Sequence, residues 1–239
     1  DGSDNDWAFE VRSYSYDTSL AAKLYVTYRT TTLTVSSSGT QDASLGAPLT
    51  NEYIGGKFVL TPADATAIVT GITIAEQGTI NAQTNLDNIK LFYELDTSAP
   101  YDCASESYAG TETQFGSTDT DGFSSGNGTS AFTGSVNVTT SQAMCVYPVM
   151  DITSGAGNGE TIEIQITNPS TDVTLNSGAV TPATAVAISG TTTLAIQVAP
   201  TVTNVTLNGG SDIDLTEATT TEVTVTATVT DGNGYGDIS

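Results

Sequence analysis

The chain has 239 residues, 38% of them hydrophobic, and carries 27 Asp+Glu against 5 Lys+Arg, a formal charge of −22 with no histidine. Such a field repels polyphosphate and anionic lipid, so nucleic acid and direct membrane insertion are excluded as expected partners. The missing histidine also excludes serine-protease triads and histidine-built zinc sites.

In chain order, the first predicted strands are "WAFEVRSYSY" (7–16), "AAKLYVTYRT" (21–30) and "TTTLTVSSSG" (31–40), with Trp7, Phe9 and Val11 alternating. Tyr14, Tyr16, Tyr25 and Tyr28 crowd this segment, and a covering surface is expected over them. The segment 1–46 either completes the sandwich that follows or closes a preceding domain.

Period-two alternation then recurs at 56–62, 67–78, 87–95, 131–140, 143–153, 161–167, 172–178 and 191–198. In 87–95, Ile89, Leu91, Tyr93 and Leu95 share a face, with Lys90 and Glu94 on the other. In 161–167, Ile162, Ile164 and Ile166 point inward, with Glu163 and Gln165 toward solvent. Gly, Pro, Asn and Asp turns separate the runs, and no amphipathic window of about 10–12 residues argues for helix. The predicted fold is all-β: a central β-sandwich of Ig-like or jelly-roll type over 47–198, with partial sandwich elements at both ends.

Pro200 fixes φ and cannot sit in a central strand, so "VAPTV" (198–202) reads as a linker. Residues 199–239 then read as the opening strands of a further Ig-like domain or as a donated strand. Val223, Val225, Ala227 and Val229 line one face of a predicted strand over 222–230, whose apolar edge is expected to pair outside this chain. The sequence reads as a mature product or as an excerpt of something longer, since no signal peptide opens it.

The piece "TLNGGSDIDLTEATTTEVTVTATVTDGNG" resembles the opening of the immunoglobulin-like repeats of bacterial surface arrays, and "LAAKLYVTY" resembles the final strand of jelly-roll modules in secreted bacterial proteins. The stretch "DNIKLFYELDTSAPYDCASESYAGTETQFGSTDTDGF" is similar in texture to large extracellular proteins of uncultivated bacteria. The resemblance implies a multidomain surface or filament protein and carries over no catalytic residue.

Cys103 and Cys145 are either one bridge or two unrelated buried thiols. The bridge is the expectation, because only 13% of residues are charged and a surface rich in Thr, Ser, Asn and Gly suits an oxidising exterior. Closing that loop would stabilise by about 4 kcal/mol on the chain-entropy model.

Three acidic loops are candidate calcium sites, since carboxylates at alternate positions beside glycine suit a hard cation. They are "DGNGYGD" with Asp231, Asn233 and Asp237; "STDTDGFSSGNG" with Asp119 and Asp121; and the terminus with Asp1, Asp4 and Asp6. Each is equally an ordinary turn or a solvated segment. Asn127, Asn137 and Asn204 begin N-glycosylation sequons, while Asn168 is excluded by the proline after it.

Glu94 and Glu163 are the mid-strand carboxylates, both outward-facing and solvated, so no enzyme is expected. The expected function is a structural subunit of an extracellular fibre, stalk or surface layer, assembling with copies of itself or with adjoining repeats through β-strand pairing. The alternative is an adhesin or carbohydrate-binding sandwich that recognises glycans through loops such as 104–130, with Tyr101, Tyr108, Phe115 and Phe123 as the candidate exposed aromatics.

Overall fold

The computed structural model describes residues 9–10, 25–26, 31–196, 199–215 and 217–231. Two units part between Leu194 and Ala195. Trp7, Val11, Tyr14, Tyr16, Tyr28 and the terminal Asp1, Asp4 and Asp6 lie outside the described residues.

In the first unit, β1 (Phe9–Glu10) and β2 (Tyr25–Val26) form an antiparallel pair. The strands that follow are β3 (Thr32–Gln41), β4 (Ser44–Leu45), β5 (Leu49–Tyr53), β6 (Gly55–Pro62), β7 (Ala67–Glu76), β8 (Leu86–Asp96), β9 (Thr113–Asp119) and β10 (Thr129–Val138). The remainder are β11 (Ala143–Ile152), β12 (Thr161–Ile162), β13 (Ile164–Ile166), β14 (Val173–Leu175), β15 (Ala179–Thr181), β16 (Val186–Ala187) and β17 (Thr192–Leu194). α-Helix among the described residues is confined to the single turns α1 (Ala82–Asn85) and α2 (Pro169–Asp172). The fold is all-β and sandwich-like, as the period-two pattern predicts.

Seven strands make the larger sheet, in the order β15-β3-β6-β11-β8-β9, with β5 extending the β6 side of β11. Five make the second, in the order β10-β7-β13-β16, with β14 beside β13 along β7. A small third sheet has the order β12-β17-β4. Because β3 pairs antiparallel with β6, the stretch from Thr32 belongs to this sandwich.

Alternation puts Leu33 and Val35 of β3, Phe58 and Leu60 of β6, Met144 and Val146 of β11, and Leu91 of β8 into the core. From the second sheet come Val69, Ile72 and Ile74 of β7, Phe132 and Val138 of β10, and Ile164 and Ile166 of β13. Full burial of one such side chain contributes about 1.5–3 kcal/mol, which offsets the entropy of ordering the strands.

Two expectations change here. The middle of the larger sheet is covered on both faces, since in β11 every residue from Ala143 to Met150 is buried, while β3 keeps the simple alternation with Thr34 and Ser36 exposed. The run 161–167 is not one continuous strand. It breaks at Glu163 into β12, which joins the small sheet, and β13, which joins the second.

The second unit is a hairpin of β18 (Thr201–Leu207) and β19 (Val225–Thr230), paired antiparallel with Val202 opposite Val229 and Leu207 opposite Val225. The expectation that the last strand lacks a partner in this chain is therefore corrected, because β18 supplies one edge. Val223 precedes the strand rather than lying in it.

Candidate functional site

The first candidate is the far face of the larger sheet. Register sets Val59 of β6 and Glu94 of β8 on either side of Cys145 in β11, and Phe92 opposite Tyr147. The segment 97–112 folds over this face. Cys103 in that segment is bonded to Cys145, with Cα atoms 5.8 Å apart and a separation of 42 positions in sequence. The disulfide is thus the spacer between loop and sheet, and the free-thiol alternative is set aside.

A second hydrophobic core results, made of Val59, Cys103, Ala143, Cys145 and Tyr147, with Tyr53, Phe92, Tyr101 and Tyr108 packed against it. Ring centroids lie 5.0 Å apart for Tyr53–Tyr108, 5.6 Å for Phe92–Tyr108, and 5.7 Å for Tyr108–Tyr147 and Tyr53–Tyr147. Tilted and edge-on pairs at such spacing add to the area they bury. Asp96 fixes the start of the loop, its carboxylate accepting the N–H groups of Ser98 at 2.8 Å and Cys103 at 3.0 Å.

Charge is buried in this layer. Lys57 is 7% exposed; its ammonium donates to the Glu106 carbonyl and lies 5.8 Å from the centroid of the Tyr147 ring. Burial lowers the Lys57 pKa, and the surrounding Glu94, Glu106, Asp102 and Asp96 oppose that drop. The Tyr147 hydroxyl donates to Glu94 Oε1, and burial followed by that bond holds its pKa far above the usual phenol value. Glu94 is therefore not a solvated outward carboxylate. It is half-buried because alternation aims it at the face that the 97–112 loop covers.

The second candidate is the strand break at Glu163. Gln41 reaches it from β3: its Nε2 donates to Ile162 O at 2.8 Å and to Thr192 Oγ1 at 3.1 Å, and its Oε1 accepts the Ile164 N–H at 2.9 Å. From the other side Glu76 Oε1 accepts the Glu163 N–H at 3.0 Å. Glu163 itself is half-buried and accepts from Thr191 Oγ1 at 2.7 Å, on a shallow cleft of about 280 Å³ shared with Gln77, Gln165 and Ser189. The sequence reading missed Gln41 and Glu76, although the alternation Ile72, Ile74, Glu76 already placed the last of these on the buried face.

The third candidate is the hairpin. Pairing of Val202 with Val229 and of Leu207 with Val225 sets these four, with Ala227, on one face. The other face is threonine, and Thr201 Oγ1 donates to Thr230 O across the pair at 3.2 Å. Two residues of β18, Asn204 with φ 52° and Val205, oppose Ala227 alone, a bulge that increases the local twist. Val202 is 58% exposed, Leu207 51%, Val225 62% and Val229 44%.

No protein-family model, curated protein or solved structure matches this chain. The functional reading therefore rests on the residues themselves.

Asp119 and Asp121 meet within one turn, where Asp119 Oδ1 accepts the Asp121 N–H at 3.2 Å and Asp119 Oδ2 accepts from Ser130 Oγ at 2.6 Å. No group of three or more Asp, Glu or Cys side chains set to hold a metal occurs among the described residues. Asp231 follows β19, while Asn233 and Asp237 lie outside the described residues. Asn127, Asn137 and Asn204 are all exposed, Asn127 donating to Gly78 O at 3.1 Å.

Of the four aromatics expected to face a glycan, Phe115 and Phe123 are buried, the former edge-on to Tyr93 with centroids 6.4 Å apart. Tyr101 and Tyr108 are half-buried against the second core. The hydrophobic effect has claimed these rings for packing, which corrects their assignment to an open ligand face. No helix among the described residues is long and apolar enough to cross a membrane.

Proposed function

We propose that this protein is an extracellular structural module of a fibre, stalk or surface layer, joined to further copies of itself or to adjoining β-repeats through the 201–230 hairpin. The observation that carries this reading is the hairpin's division into two faces. Val202, Leu207, Val225 and Val229 present one apolar face, each at least 44% exposed, and threonines present the other. Two strands alone are marginal in water, and a one-sided apolar pair is half of a sandwich. A second sheet laid on that face would bury side chains that contribute up to about 1.5–3 kcal/mol each.

The rest of the chain supports the reading. A disulfide-stapled sheet whose strand β11 is covered on both faces suits a building block, and the disulfide fits an oxidising compartment. The exposed sequon asparagines suit a sugar-bearing outer surface. Glu94 and Glu163 each hold a hydroxyl of the protein itself, which fits a non-catalytic role.

Light scattering over a concentration series, with electron microscopy of the same samples, tests the proposal. Wild-type chain should associate into linear particles, and a Val202→Thr, Val225→Thr, Val229→Thr variant, which keeps β-propensity while removing the apolar face, should stay monomeric. Wild-type chain that remains a compact monomer at high concentration, without fibres, overturns it.

A further inference from the structure

Glu76 closes β7 on the same face as Ile72 and Ile74, and it is 0% exposed. Its Oε1 accepts the N–H groups of Gly78 at 2.5 Å and Glu163 at 3.0 Å, while its Oε2 is buried with no hydrogen-bond partner. A buried carboxylate oxygen left so is costly when charged and far less so when protonated.

Among the described residues, the segments packed against Glu76 offer no counter-charge. Residues 77–80 and 124–130, which pack against Glu76 from its own chain end and from the loop into β10, contain no titratable side chain. The segment 160–165 brings Glu160 and Glu163, both acidic. Glu160 Oε2 accepts the Gly157 N–H at 2.7 Å, and Glu163 Oε1 accepts from Thr191. Ionising Glu76 would therefore place a negative charge beside Glu163, and the two described lysines are engaged elsewhere, Lys57 on the Glu106 carbonyl and Lys90 on Asn51.

The position matters because of what Glu163 connects. Its N–H is held by Glu76 and its carbonyl accepts from Gln77 at 2.9 Å, so β7 grips the break between β12 and β13. On one side β12 pairs with β17, Thr161 opposite Thr193, and Leu194 donates to Glu160 O at 2.8 Å. That strand is where the first unit ends.

We propose that Glu76 is a proton-operated latch on the 161–166 segment: neutral, it locks β12 and β13 onto β7; ionised, it loosens them and, through β12, the terminal strand β17. Burial holds the carboxyl up at about 7, and Glu163 adds to the rise, against the pull of the N–H donors from Glu163, Gly78 and Gln77. The folded value lies above the ordinary 4.5, so the neutral carboxyl's contribution is complete below the ordinary value and is lost as pH rises through about 7.

Carbon-13 NMR of the glutamate carboxyls in the full chain tests this directly. One carboxyl should titrate near neutrality, absent from Glu76→Gln, and its midpoint should fall in Glu163→Gln, which removes the neighbouring charge. Amide exchange, corrected for its intrinsic base catalysis, should accelerate at Ile162, Glu163, Thr192 and Thr193 across that midpoint in wild type and not in Glu76→Gln. The proposal is overturned if every glutamate titrates in the ordinary carboxylate range, or if Glu76→Gln shows the same acceleration. Should Glu76→Gln not fold, the wild-type titration and its response to Glu163→Gln decide alone.

Discussion

Gln41 and Ile164, 123 residues apart, are joined as if they were strand partners: the Gln41 amide oxygen accepts the Ile164 N–H at 2.9 Å. Its nitrogen donates to Ile162 O, so one side-chain amide serves both backbone groups where the strand changes sheets. Gln41→Ala should leave the buried Ile164 N–H unpaired and cost about 1–3 kcal/mol. Urea unfolding measures this, and a midpoint equal to wild type would show that water replaces the amide without loss.

The disulfide does more than close a loop, since it fastens 97–112 over the tyrosine layer. Replacing both Cys103 and Cys145 by Ser should cost about 4 kcal/mol on the chain-entropy account. Near-ultraviolet dichroism should weaken as well, because Tyr53, Tyr108 and Tyr147 lose their fixed surroundings. A destabilised variant with an unchanged aromatic spectrum would mean that the loop stays down without its staple.

Alkaline titration should separate the tyrosines. Burial, with Asp42 and Glu112 adding, pushes Tyr53 up to about 12, and burial with the Glu94 bond pushes Tyr147 higher still. Both phenols are raised above the unfolded value of 10.0, so the stability they confer is intact below that value and is lost as pH rises through the folded values. Phenolate absorbance followed with pH should show late, cooperative ionisation coinciding with unfolding; two early, independent ionisations would contradict the packing described.

Gly56 has φ +67°, and a Cβ there would lie 2.1 Å from Ile188 Cγ2. Gly56→Ala meets both backbone strain and an occupied core position, and should destabilise by roughly 2–4 kcal/mol. Thermal melting of the variant alone and with Ile188→Ala separates the two causes, since the smaller neighbour relieves only the clash.

Much of this was legible beforehand. Ile162, Ile164 and Ile166 announce buried strand positions, and Val225, Ala227 and Val229 announce a one-faced strand, because side chains in extended backbone alternate whatever surrounds them. The pairing of Cys103 with Cys145 follows from there being two cysteines and an acidic, threonine-rich exterior.

What alternation cannot state is what lies opposite a face. Glu94 and Phe92 point away from the main core, yet the 97–112 loop covers that side, so Glu94 meets a tyrosine hydroxyl instead of water. Phe115 and Phe123 sit in loop-like sequence and still enter the core. Glu163 looks like a mid-strand solvent residue, whereas the strand breaks there and takes its partners from Gln41 and Glu76.

The sequence by itself determined the class, the strand faces and the charge, because these depend on local geometry and composition, and it made the bridge between its two cysteines the expectation. Only the tertiary structure decided the second core, the buried Glu76 and the pairing of the last strand with β18. Each of these is a contact between segments distant along the chain, and such contacts are selected by which surfaces exclude water together, a choice no local period records.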